Sequence, residues 1–293
     1  MTSPRVLLNG WQIRPKKQLG QNFLSAPGIA EKIVAKAGLT HDDTVLEIGA
    51  GLGALTIPLA RTAGKVYAVE TDRRITPLLR TELIATGLEN VEIIEQDILQ
   101  LDISALAERS ECRFTVMGNL PYHLSSQVLI RLIHYRQWVD RAVLMFQKEL
   151  AQRLMAVPGE KRYGRLTVML TYAATVQQLL ELTADQFFPK PKIASTVLKV
   201  IFQPPENRIS NEALLFGVIK AAFGQRRKTL KNSLSGSFLN IAPQAAESAL
   251  KKAGIDPKRR AETLSVTEFI NLSDQIGDIS VAMETTRSPS ILT

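Results

Sequence analysis

Cysteine and histidine are scarce in this sequence: one cysteine, Cys112, and three scattered histidines, His41, His123 and His134. A single thiol cannot form an intrachain disulfide, so a reducing compartment, the cytoplasm, is expected. The same scarcity leaves no zinc site of ordinary ligand spacing, and no metal is expected. Long apolar runs are missing as well. No stretch approaches the ~20 residues of a spanning helix, and Met1 to Lys17 has only Val6 to Leu8 as an apolar core. Neither a membrane span nor a secretory leader is expected. Aromatic residues make up only 6%, yet 45% hydrophobic against 22% charged residues excludes a disordered or fibrous chain.

Positive charge is in excess. Lysine and arginine number 36 against 28 acidic residues, a formal net charge of +8. The surplus gathers at Arg14, Lys16 and Lys17, at Arg226, Arg227, Lys228 and Lys231, and at Lys258, Arg259 and Arg260. Such patches favour a polyanionic partner over an evenly solvated surface.

The 293 residues fit one large domain with a small companion. Short β-rich runs, Thr44 to Ile48, Val66 to Val69, Val91 to Ile94, Phe114 to Met117 and Ala142 to Phe146, alternate with amphipathic stretches. That alternation implies βα units and a mostly parallel sheet. Thr175 to Leu182 and Thr196 to Phe202 lie closer together and are expected to finish the sheet as an antiparallel pair. Gln203 to Asn207 form a polar, proline-containing break, after which Asn211 to Phe223, Lys228 to Leu239, Pro243 to Ala253 and Val266 to Ile276 have helical spacing. The expected fold is α/β: a Rossmann-like sheet over residues 1–205 with a basic N-terminal segment, and a small all-α C-terminal domain over 206–276. Residues 277–293, rich in Ser and Thr, read as a flexible tail. Nothing demands more than a monomer.

Directly after the first strand stand Glu47, Ile48, Gly49, Ala50, Gly51, Leu52 and Gly53. Glycines at a strand-to-helix turn let backbone approach a ligand closely. Gly49, Gly51 and Ala54 also satisfy the dinucleotide fingerprint, so a nicotinamide enzyme and a plain structural turn stay open on this feature. Glu70 ends the second strand, where a carboxylate can accept bonds from both ribose hydroxyls of either cofactor. Asp97 ends the third, where it can accept from an adenine amino group or simply cap a helix. The three together favour S-adenosylmethionine.

After the fourth strand comes Gly118, Asn119, Leu120, Pro121, Tyr122. An adenine amino group is a poor nucleophile because its lone pair is delocalised into the ring. A site that accepts both N–H bonds aims that lone pair at a methyl donor. Asn119 offers one neutral acceptor, a carbonyl of Leu120 or its neighbours a second, Pro121 fixes the turn, and Tyr122 can stack on the base. A plain β-turn is the competing reading of the same residues.

With these motifs the sequence resembles the ribosomal RNA adenine dimethyltransferases, especially the bacterial small-subunit type linked to kasugamycin sensitivity, over roughly residues 14 to 270. The resemblance is carried by Lys16, Lys17, Gln18, Leu19, Gly20, Gln21, Asn22, Phe23 and Leu24, by the glycine loop, Glu70, Asp97 and Asn119 to Tyr122, and by Phe187 to Ser195. It implies that Asn22, Leu24, Gly49, Glu70, Asp97 and Asn119 contact S-adenosylmethionine, with Gly51 in the same loop. It also implies that Phe188 sandwiches a flipped adenine against Tyr122, replacing the stacking that an extruded base loses. Without it, Phe187 and Phe188 read as core. His123 stands where the family usually has Asn, which bears on a local contact and not on the chemistry.

Lys16, Lys17, Arg226, Arg227, Lys228 and Lys231 are the candidate RNA contacts, positioning a hairpin through its phosphates without reading bases. A solvated helix face is the competing reading, and the resemblance tips it toward RNA. Ala222 to Leu234 and Arg260 to Ser265 resemble the small-subunit family more than the large-subunit enzymes of macrolide resistance. The substrate so implied is a pair of adjacent adenosines in a hairpin near the 3′ end of small-subunit rRNA, each dimethylated on N6 within a pre-ribosomal 30S particle. The alternatives are the large-subunit enzyme, a non-catalytic relative serving ribosome assembly, and a nicotinamide oxidoreductase, for which no proton-transfer residue is evident.

Overall fold

The computed structural model describes residues 2–203, 211–225 and 227–287, the side chains of residues 17, 27 and 279–287 excepted. In chain order the elements are α1 (Pro4–Gly10), β1 (Phe23–Leu24), α2 (Pro27–Ala37), β2 (Thr44–Ile48), α3 (Thr56–Thr62), β3 (Lys65–Val69), α4 (Thr76–Thr86), β4 (Val91–Ile94), α5 (Ile103–Ser110), β5 (Phe114–Asn119), α6 (Ser125–His134) and β6 (Val139–Gln147). They continue with α7 (Lys148–Leu154), α8 (Arg165–Ala173), β7 (Ala174–Leu182), β8 (Phe187–Phe188), β9 (Ser195–Phe202), α9 (Glu212–Ala222), α10 (Leu230–Ser235), α11 (Pro243–Lys252) and α12 (Val266–Arg287). The chain divides into two compact units, Met1–Gln152 with Ala173–Pro204, and Arg153–Tyr172 with Pro205–Thr293.

The first unit holds a seven-stranded sheet of order β4-β3-β2-β5-β6-β9-β7, Rossmann-like in topology. Strands β2 to β6 are parallel. Their apolar runs match a sheet covered on both faces, and Val45, Leu46, Val66, Ala68, Val116 and Met117 are fully buried. The chain leaves β2 toward β3 and β4, then returns to β5 on the other side. That reversal is a topological switch point, where the carboxyl ends of the strands leave a crevice for a ligand.

The last two strands are antiparallel, as the sequence implied, but β9 inserts between β6 and β7. Burial explains the order: β9 is buried at six of its eight positions and suits an interior place, while β7 is mostly open to solvent and makes the edge. A second, two-stranded ladder pairs Phe23 with Phe188 and Leu24 with Phe187.

In the second unit Asn211 caps α9, its side chain accepting from Leu214 N at 2.9 Å. Ser265 and Glu268 form a reciprocal cap at the start of α12, at 2.8 and 3.2 Å. Two sequence expectations differ from what is observed. Residues 153–172, placed with the sheet, cluster with the helices, because Tyr163 packs on Phe223 and Tyr172 on Phe216. Residues 277–287, read as tail, continue α12, whose propagation adds one hydrogen bond per residue fixed; residues 288–293 lie outside the described residues. Among the described residues no helix is long and apolar enough to cross a membrane.

Candidate active site

The crevice at the ends of β2, β3 and β5 is a cleft that encloses about 860 Å³ with its open mouth included. Its floor is the loop 48–52, its sides are Glu70 with Thr71, Gln96 to Ile98, and Asn119 with Pro121, and residues 19–24 complete the wall. Gly49 and Gly51 have φ of +74° and +57°, a region that side-chain-bearing residues rarely adopt. A Cβ on Gly51 would also meet the Phe23 ring at 3.2 Å. Glycine therefore lets β1 close over the loop.

Glu70 is 7% exposed and accepts three backbone N–H bonds, from Gly51 at 2.9 Å, Thr71 at 2.9 Å and Asp72 at 2.8 Å. Burial raises its carboxyl above the usual range while those three donors pull it back. The Gly51 N–H is thus spent on Glu70, and the carboxylate is held rigidly at the cleft wall with about one acceptor position left. Asp97 also lines the cleft and accepts from Leu99 N at 2.9 Å. Asn22, Leu24, Gly49, Gly51, Glu70, Asp97 and Asn119 all border this one cavity.

The segment over the cleft is tied down by contacts that the sequence did not announce. Gln21 donates to Asp72 at 3.0 Å, and Lys16 Nζ lies 3.6 Å from the same carboxylate. Arg74, Asp72's strongest partner, holds that carboxyl well below the usual range. Glu47, read with the glycine loop, had no role of its own in the sequence. It is 1% exposed and borders the cleft, and burial pushes its carboxyl up to about 8, with Thr56 opposing and the Glu70 charge adding. Neither Glu47 Oε2 nor Thr56 Oγ1 completes a hydrogen bond. The available signal was a lone carboxylate inside the apolar strand Thr-Val-Leu-Glu-Ile.

On the acceptor side, Asn119 Nδ2 donates to Asn22 O at 2.7 Å. Its Oδ1 is left as the free acceptor of the amide. Tyr122 and Phe188 do not border the cleft itself, and among the described residues no ring contact joins them. The Tyr122 hydroxyl is 3.0 Å from the buried Ser195 hydroxyl. Phe188 is half-buried beside Leu8 and Phe23, with the Arg5 guanidinium 5.1 Å over its ring. Leu120 is buried, and His123 is exposed beside Gly20.

In the helical unit Arg227 and Lys228 are exposed. Lys231 is engaged with Glu247 at 2.6 Å; Lys231 first, then Lys251, holds that carboxyl at about 2. Arg226 and the Lys17 side chain lie outside the described residues. Among the described residues no group of three His, Cys, Asp or Glu could hold a metal ion.

A switch-point cleft that offers a carboxylate, neutral acceptors and glycine backbone defines a Rossmann-like methyltransferase, with S-adenosylmethionine as methyl donor. Its residues suit that group: a buried unpaired acceptor, Glu47 Oε2, borders the cavity, and two glycines clear its floor. The family model for ribosomal RNA adenine dimethylase matches residues 13–278, and the chain belongs to that family. Similar curated proteins include "Ribosomal RNA small subunit methyltransferase A" of Desulforapulum autotrophicum, 50% identical with 94% of this chain and 97% of that one covered. The protein of the same name from Magnetococcus marinus is 41% identical, covering 92% and 95%. Among solved structures, a dimethyladenosine transferase from Plasmodium falciparum aligns with TM-score 0.72 at 26% identity, covering 87% of this chain and 98% of that one. The 23S rRNA methyltransferase ErmE, at 24% identity and TM-score 0.63 over 87% and 100%, shares the fold.

Proposed function

We propose that the protein transfers methyl groups to the N6 amines of two adjacent adenosines in a hairpin near the 3′ end of small-subunit rRNA, dimethylating each. Its substrate is the RNA within a pre-ribosomal 30S particle, and it acts as a cytoplasmic monomer in small-subunit biogenesis. When bound, S-adenosylmethionine supplies an electrophilic methyl on a sulfonium.

The observation that carries this reading is the fixed Asn119 amide. Because Nδ2 is committed to Asn22 O at 2.7 Å, Oδ1 is presented as an acceptor. Oδ1 takes one N6–H bond and the Leu120 carbonyl the other, drawing the amine toward tetrahedral geometry. The proton displaced on methylation passes to solvent, since a neutral amide cannot keep it. This is catalysis by positioning and preorganised dipoles, without a general base. Tyr122, anchored on Ser195, and Phe188 stack on the extruded base. Glu70 holds the ribose and Asp97 the adenine of the cofactor. Arg227 and Lys228, with Lys16, Lys17 and Arg226, bind phosphates and so set register without reading sequence, while Lys231 is held by Glu247. The names of the relatives, which specify the small subunit, support this target over large-subunit RNA.

The test is mass spectrometry of rRNA nucleosides after incubation with labelled S-adenosylmethionine and unmethylated small-subunit particles. The expected product is labelled N6,N6-dimethyladenosine at two adjacent positions, absent with Asn119→Ala. Label in large-subunit RNA alone, or monomethyladenosine alone at completion, would overturn the proposal.

A further inference from the structure

Glu47 has no task in the scheme above, yet it borders the cofactor cleft from inside β2. Its carboxyl is sealed from solvent, and Oε2 has no hydrogen-bond partner. Its ladder neighbours are Ala68 on β3 and Met117 on β5, both apolar. From α3 it is approached by the uncharged Thr56, and the ionisable group facing it is Glu70, another carboxylate. Among the described residues no lysine, arginine or histidine pairs with it. A buried carboxylate without a cation is strongly disfavoured, so the free protein holds this group as the neutral acid. Burial to this degree, with its carboxyl pushed up to about 8, leaves the acid form dominant at neutral pH.

A cationic ligand reverses that balance, because an opposite charge nearby favours the carboxylate. S-adenosylmethionine carries a sulfonium and an ammonium. Its product keeps the ammonium but has an uncharged thioether in place of the sulfonium. We propose that Glu47 is a charge-sensing positioning residue: protonated when the cleft holds no cation, it releases its proton to solvent as the cationic cofactor enters, and so favours the methyl donor over the spent product. No other bond changes in this step. The proposal rests on S-adenosylmethionine being the cofactor.

The sign follows from linkage. Binding coupled to proton release strengthens as pH rises, by up to about tenfold per pH unit below the pH at which the free carboxyl ionises. Affinity for S-adenosylmethionine therefore climbs from pH 6 toward about 8, while affinity for S-adenosylhomocysteine changes less.

The experiment is titration calorimetry of the full chain at pH 6.5 in buffers of differing ionisation heat, with each ligand in turn. At that pH both ligands hold their ammonium protonated, so the difference between them isolates the sulfonium. The expected result is release of most of one proton with S-adenosylmethionine, less with S-adenosylhomocysteine, and none from Glu47→Gln. The glutamine is close in shape to the neutral acid and should preserve the unfolding temperature. Equal release from wild type and Glu47→Gln, or binding without release, overturns the proposal, and equal release by both ligands overturns the preference. If Glu47→Gln does not fold, wild-type affinities across pH 6 to 8 decide, and a flat profile for S-adenosylmethionine contradicts it. Absence of any binding would instead remove the cofactor assignment on which the inference depends.

Discussion

The sheet unit and the helical unit use charge in opposite ways. In the sheet unit the Glu70 carboxylate is buried and tied by three backbone donors. In the helical unit the candidate RNA contacts Arg227 and Lys228 stand in solvent. A buried acceptor fixes geometry, because leaving its donors unpaired is expensive, whereas a solvated cation contributes attraction that salt screens. On the proposed function, chemistry falls to the first unit and most of the RNA attraction to the second.

The sharpest way to break this division is Asn119→Ala. It removes the acceptor proposed to act on the transition state, and a loss of about 100- to 1000-fold in single-turnover rate is expected. Next is Glu70→Ala, which leaves the N–H groups of Gly51, Thr71 and Asp72 without their acceptor. Cofactor affinity should fall about 10- to 100-fold, and stability by about 1–3 kcal/mol; calorimetry and thermal unfolding check the two effects. Arg227→Ala with Lys228→Ala should weaken RNA binding severalfold and flatten the salt dependence by about one to two in log–log slope, read by titration at several salt concentrations. The smallest effect is expected from Lys231→Ala, less than about twofold on RNA affinity, because its ammonium already serves Glu247 at 2.6 Å. That carboxyl is depressed to about 2, so the pair is intact above the ordinary glutamate range and is lost only as pH falls through about 2. If Lys231→Ala weakens RNA as much as the exposed pair does, the distinction between free and paired cations fails.

What was legible in the sequence follows the same division. The parallel strands, the glycine loop and the strand-end Glu70, Asp97 and Asn119 are contiguous signals, each set by local pattern, and the seven residues expected to hold the cofactor border one cavity. Long-range pairings were not legible. The Phe23–Phe188 ladder is two residues long on each side and joins distant segments, so no local period announces it. The helix α1 spans seven residues, too short to form by propensity, and it is held by Leu8 packing on Phe23, Leu52, Ile75 and Leu78. Residues 153–172 chose their partners through Tyr163 and Tyr172, whose contacts lie on the later helices. Glu47 and the Gln21–Asp72 link escaped notice because single polar residues acquire meaning only once burial and neighbours are known.

The division of labour is tested most directly by measuring methylation of small-subunit particles at single turnover across particle concentration, for Asn119→Ala and for the Arg227→Ala, Lys228→Ala pair. The account predicts that Asn119→Ala loses the maximal rate at unchanged half-saturation, while the basic pair shifts half-saturation and keeps the rate. A basic-pair variant that loses maximal rate at unchanged half-saturation would contradict it.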